Sequence, residues 1–203
     1  MDDLILHKVQ MYFDALDNDN DKTLTEADFH TIAVRYAEAL GHAPNSGPAR
    51  EISRATIAYW TDLVRPMDTD GDQRVTFEEF RSAIEQMLSH TTTRESVLQP
   101  ALDAWFELAD ADRSGTLTKS EWVALFGHAV GAPVRHCGQV FDTIDTDGDG
   151  LVQRAEFNRA VTDFLCSSDP SNPANQLFGP IAISGADLPA QQIPIGMRSQ
   201  TRA

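Results

Sequence analysis

Apolar residues recur along this chain at steps of three and four, in paired stretches that bracket short, aspartate-rich segments. Leu4, Ile5, Val9, Tyr12, Phe13 and Leu16 precede the first segment, and Phe29, Ile32, Ala33 and Tyr36 follow it. Ile57, Trp60 and Val64 precede the second, with Phe77, Phe80, Ile84, Met87 and Leu88 behind it. Leu102, Trp105, Phe106 and Ala109 lead into the third, and Trp122, Leu125 and Phe126 leave it. Val140, Phe141 and Ile144 come before the fourth, and Phe157, Val161, Phe164 and Leu165 after it. A 3.6-residue repeat gathers such positions on one side of a helix, so the pattern predicts an all-α chain of four helix–loop–helix units.

Helix breakers set the boundaries. The run from Gly41 to Pro48 ends the first unit, because glycine supplies a helix stop and the prolines cannot continue a helix. Ser89 to Thr93 is a softer break, and Gly131, Ala132 and Pro133 part the third unit from the fourth. The polar segments start at Asp17, Asp68, Asp110 and Asp145, so the first two units are spaced more loosely than the last two. Units one and two are expected to pair as an N-terminal lobe over residues 1–90, and units three and four as a C-terminal lobe over 95–166, in one compact globule. Residues 167–180 are expected to pack on that globule. Residues 181–203, poor in large apolar groups, read as a disordered tail.

The polar segments are four dodecapeptides: 17–28, 68–79, 110–121 and 145–156. A twelve-residue loop wraps a Ca²⁺ ion when oxygens point inward from positions 1, 3, 5, 7, 9 and 12, position 7 giving a backbone carbonyl. The fourth loop offers Asp145, Asp147, Asp149, the carbonyl of Leu151 and Glu156. The third offers Asp110, Asp112, Ser114, the carbonyl of Thr116 and Glu121. Both carry glycine at position 6, Gly150 and Gly115, where the chain must turn with positive φ. The second offers Asp68, Asp70, Asp72, the carbonyl of Arg74 and Glu79, but Gln73 holds the turn. The first has Asp17, Asp19, Asp21, the carbonyl of Thr23 and Asp28, with Lys22 at the turn. Asp28 is one methylene shorter than glutamate, which favours six-fold coordination and tolerance of Mg²⁺ there. Leu24, Val75, Leu117 and Val152, all at position 8, are expected to bury beneath short antiparallel loop–loop strands. Up to four Ca²⁺ are therefore expected.

Charge supports this reading. Of the 31 Asp and Glu, 17 lie inside the four loops, and the formal charge is −15, which four Ca²⁺ would bring to −7. Such a balance repels phosphate backbones and anionic lipid surfaces, so neither nucleic acid nor membrane is an expected partner. Cys137 and Cys166 lack the spacing of a zinc site or disulfide framework. The acidic start shows no secretory signal pattern, which points to the cytoplasm. The six histidines are scattered, and no phosphate-cradling glycine motif occurs, so an enzyme is not expected.

These loops resemble the EF-hand superfamily. Their uneven spacing, the aspartate closing the first loop and the stretch 167–179 are similar to the sarcoplasmic calcium-binding protein group and its calerythrin-type bacterial relatives. The resemblance implies a compact globule that buffers or transports Ca²⁺, and a monomer is expected. Such proteins often have a degraded second loop, whereas Asp68 to Glu79 looks usable. The alternative is a sensor that opens a groove for a protein target. Yet no methionine lies between residues 88 and 196 to furnish a pliable groove in the second lobe, and Leu177 and Phe178 are placed to plug it. A remoter alternative is a photoprotein or luciferin-binding relative. Its last helix carries His, Trp and Tyr, where alignment here places Val161, Leu165 and Cys166.

Overall fold

The computed structural model describes residues 2–89 and 94–180. The tail expected to be disordered, 181–203, lies outside the described residues.

Among the described residues, eight α-helices and four short strands follow one another as the periodicity predicts. Helix α1, Asp3–Leu16, is capped by Asp2, whose side chain accepts from the Leu4 N–H. Strand β1, Thr23–Leu24, leads into α2, Glu26–Ala39. Helix α3, Gly47–Tyr59, starts on a Ser46 cap with Pro48 in its first turn. It then widens into a π turn at Trp60–Val64 and tightens into a 3₁₀ turn at Arg65–Met67. Pro66 accounts for the change, since it has no N–H to donate and its ring would strike the carbonyl four residues back.

Strand β2, Val75–Thr76, enters α4, Phe77–Ser89; helix α5, Arg94–Ala109, leads to β3, Thr116–Thr118. Helix α6, Lys119–Trp122, continues as a π segment, Val123–Ala129, in which Gly127 lets another helix approach closely. A Cβ there would lie 3.2 Å from Val134 Cγ2, at the start of α7, Val134–Ile144. Strand β4, Leu151–Gln153, and α8, Arg154–Cys166, complete the fourth unit, and a 3₁₀ turn at Pro173–Gln176 follows. Among the described residues no helix is long and apolar enough to cross a membrane.

The loops pair as expected. Strands β1 and β2 run antiparallel with Leu24 opposite Val75, and β3 and β4 with Leu117 opposite Val152. All four position-8 side chains are fully buried. The pairs are also joined to each other, because one hydrophobic cluster runs from Val9 to Phe178. Helix α2 packs on the π segment after α6, α3 on α5, and α1 on α8. Phe178 sits inside the cluster, 5.1 Å from the rings of Tyr12 and Phe164 and 5.6 Å from Trp105. Beside it Lys8 is wholly buried; its Nζ donates to the Ser167 carbonyl at 2.6 Å and to Asn175 Oδ1 at 3.1 Å. Burial pushes the Lys8 pKa down.

Candidate metal centres

Each loop begins as a helix ends. The N–H of Asp17, Asp110 and Asp145 still donates to the carbonyl one turn back, of Phe13, Phe106 and Phe141, and Asp68 does likewise to Arg65. The side chain of that aspartate then folds the loop over itself. Asp17 accepts from the N–H of Asp21 at 3.1 Å and of Lys22 at 3.0 Å. Asp68 accepts from Gly71 and Gln73, Asp110 from Ser114 and Gly115, and Asp145 from Gly148 and Gly150, at 2.7–2.9 Å. Each first acid thus captures the N–H of position 6, turning that residue left-handed. Lys22 and Gln73 adopt φ of +72° and +69°, close to the +84° and +85° of Gly115 and Gly150.

Position 4 is left-handed as well, in Asn20, Gly71, Arg113 and Gly148. The sequence reading missed this second turn. Asn and Gly, the residues that most readily enter that region, were the available signal at three of the four positions.

The closing acid ties the two ends of the loop. Asp28 accepts from the N–H of Asn18 at 3.0 Å and of Thr25 at 2.8 Å. Glu79 does so from Thr69 and Thr76, Glu121 from Ala111 and Thr118, and Glu156 from Thr146 and Gln153. In α2, α6 and α8 this acid is also the third helical residue of a capping box, where a negative charge suits the helix N-terminus. Asp28 reaches the same two backbone donors as the glutamates despite its missing methylene. Hydrogen bonds from the Thr76 and Thr69 N–H groups hold Glu79 down to about 2.

Carboxylates converge in every loop. Asp17, Asp19 and Asp28 can bring one oxygen each to within 4.8 Å of one another; so can Asp68, Asp70 and Asp72; Asp110, Asp112 and Glu121; and Asp145, Asp147 and Glu156. Among the described residues none of these twelve acids forms an ion pair. Asp17, Asp28, Asp110 and Glu121 are buried as well, and burial pushes the Asp17 carboxyl above its usual range. Clustered acids without a countercharge, in the first and third loops also partly withdrawn from water, suit a divalent cation.

The remaining predicted ligands border these clusters. Thr23, Thr116 and Leu151 stand at the first position of β1, β3 and β4, and Arg74 lies just before β2. Asp72 and Asp149 each accept the N–H two residues on, of Arg74 and Leu151, at 2.8 Å. The Ser114 hydroxyl donates to the Thr116 carbonyl at 2.9 Å.

Asp21 differs. One of its oxygens accepts the N–H and hydroxyl of Thr23, and the other pairs at 3.2 Å with the Arg74 guanidinium, reaching across from the second loop. Thr23 contributes most to holding the Asp21 pKa down. The third loop is braced from the first half of the chain: the Tyr36 hydroxyl donates to the carbonyl of Ala109 at 2.6 Å, and Arg113 pairs with Glu51 at 2.5 Å.

The EF-hand domain pair profile matches residues 7–85 and 100–162. Calerythrin of Saccharopolyspora erythraea is 24% identical over 159 residues, covering 77% of this chain and 89% of its own length. The beta chain of sarcoplasmic calcium-binding protein from Penaeus sp. is 24% identical over 172 residues, covering 81% and 90%. Among solved structures, the coelenterazine-binding protein from Renilla muelleri, in its calcium-loaded apo form, aligns with a TM-score of 0.77. That alignment covers 89% of this chain and 100% of the other at 21% identity, a likeness of fold alone. With both loop pairs inside the matched stretches and four clusters of convergent acids, this chain belongs to the EF-hand domain pair family and is a calcium-binding protein related to calerythrin and the sarcoplasmic calcium-binding proteins.

Proposed function

We propose that this protein is a cytoplasmic, monomeric Ca²⁺ buffer or transport protein without enzymatic activity, holding up to four ions. The ligands assigned are Asp17, Asp19, Asp21, Thr23 and Asp28 in the first loop and Asp68, Asp70, Asp72, Arg74 and Glu79 in the second. Asp110, Asp112, Ser114, Thr116 and Glu121 serve in the third, and Asp145, Asp147, Asp149, Leu151 and Glu156 in the fourth. Thr23, Arg74, Thr116 and Leu151 act through their carbonyls. The first loop is the one assigned tolerance of Mg²⁺.

The observation that carries the metal assignment is the convergence of carboxylates lacking a cationic partner in all four loops. A buffer is favoured over a target-binding sensor by Leu177 and Phe178, which fill the interior where a partner helix would dock. Only Val34 and Val134 are exposed large apolar side chains among the described residues, too scattered to make a docking face.

Calorimetric titration with Ca²⁺, repeated in Mg²⁺, tests the assignment. Four equivalents are expected, one displaced by Mg²⁺, and each site filled at a thousandfold excess adds about 4 kcal/mol of stability. Equal melting temperatures in Ca²⁺ and chelator would remove the metal reading. A hydrophobic dye that brightens sharply on adding Ca²⁺ would replace the buffer with a sensor.

A further inference from the structure

Helices α1, α3, α4, α5 and α8 leave a cavity of about 210 Å³ between them. Leu63, Ile84, Leu102, Trp105, Val161 and Phe164 supply much of its wall, and among the described residues no charged side chain lines it. Two polar groups do border it. The hydroxyls of Tyr12 and Tyr59, side chains only 6% exposed, hydrogen-bond to each other.

That pair is incomplete. Two phenols carry two protons, and their mutual bond uses one. Among the described residues no acceptor takes the second. Trp105, set beside Tyr59, cannot do so, because an indole N–H only donates. A buried donor left unpaired costs free energy, and this one borders a void with apolar walls.

We propose that the cavity binds a small, neutral aromatic molecule of one or two rings bearing a hydrogen-bond acceptor such as a ketone. Size sets the ring count, since an apolar cavity of about 150 Å³ already admits benzene. The apolar lining among the described residues favours a neutral ligand, since an ionic one would be desolvated there without a charged partner. Tyr12, Trp105 and Phe164 provide aromatic surfaces for a flat ring. The spare hydroxyl proton selects the acceptor. This site is separate from the four acid clusters and does not depend on the buffering role.

The test uses the full chain in Ca²⁺, titrated calorimetrically with 2-acetylnaphthalene and with naphthalene. The ketone is expected to bind at one equivalent, about five- to tenfold tighter than the hydrocarbon, as one additional hydrogen bond allows. Tyr12→Phe combined with Tyr59→Phe should erase that preference while leaving naphthalene bound, which also shows that the cavity still forms. Ala101→Leu, which fills the cavity, should abolish binding of both compounds. The proposal is overturned if neither compound binds, if the two bind equally, or if Ala101→Leu leaves affinity unchanged.

Discussion

In the C-terminal loop pair the residues at the sixth position are glycines with φ of +84° and +85°, whereas in the N-terminal pair a lysine and a glutamine hold +72° and +69°. The backbone follows one path although only half of the residues suit it. The first aspartate enforces that path, because its carboxylate takes the sixth N–H in every loop. A charge-assisted hydrogen bond contributes about 1.5–3 kcal/mol, and a left-handed side-chain residue costs roughly 1–2. The bond wins, at a loss of stability that the sixth position imposes only on the first pair. The pairs differ in two further ways. Strands β3 and β4 pair over three residues and β1 and β2 over two. Only in the first pair does a basic side chain, Arg74, hold one of the proposed ligands, Asp21.

Replacing the closing acids gives the sharpest contrast. Glu156→Gln is expected to weaken the fourth site by at least about 100-fold, or ~2.7 kcal/mol, whereas Asp28→Asn weakens the first by nearer tenfold, since a shorter acid has less to lose. Calcium calorimetry on the two variants measures both, and a larger loss in Asp28→Asn would invert the ranking of the pairs. Exchanging the turn residues has a smaller effect. In chelator, Gly150→Ala should cost about 1–2 kcal/mol and Gln73→Gly should gain less than about 1, because glycine also loosens the unfolded chain. Thermal melts showing Gln73→Gly destabilised would mean that its side chain makes contacts worth more than the turn costs. The smallest change is Arg74→Gln, which keeps the carbonyl and frees Asp21. About threefold tighter Ca²⁺ binding at the first loop is expected, with the gain fading in high salt, as an exposed ion pair implies.

The loops, their strands and the buried position-8 residues were legible because each is fixed within twelve residues or by the repeat of one pattern. The joins between loop pairs were not. Nothing local ties Tyr36 to Ala109, Arg113 to Glu51 or Arg74 to Asp21, since these meet only after distant helices pack. Lys8 shows the same limit with a faint clue attached. It stands three residues after Ile5 and four before Tyr12, on the very stripe that predicts burial, yet a lysine there reads as solvated until its acceptors, Ser167 and Asn175, are seen.

That lysine ties the order of synthesis to the order of folding. The ammonium near the chain's start has its acceptors some 160 positions downstream, so a nascent chain on the ribosome would bury an uncompensated cation until the last turn emerges. A fragment ending with α8 would keep all four loops and forfeit Asn175 together with Phe178, and with them the seal between its two ends.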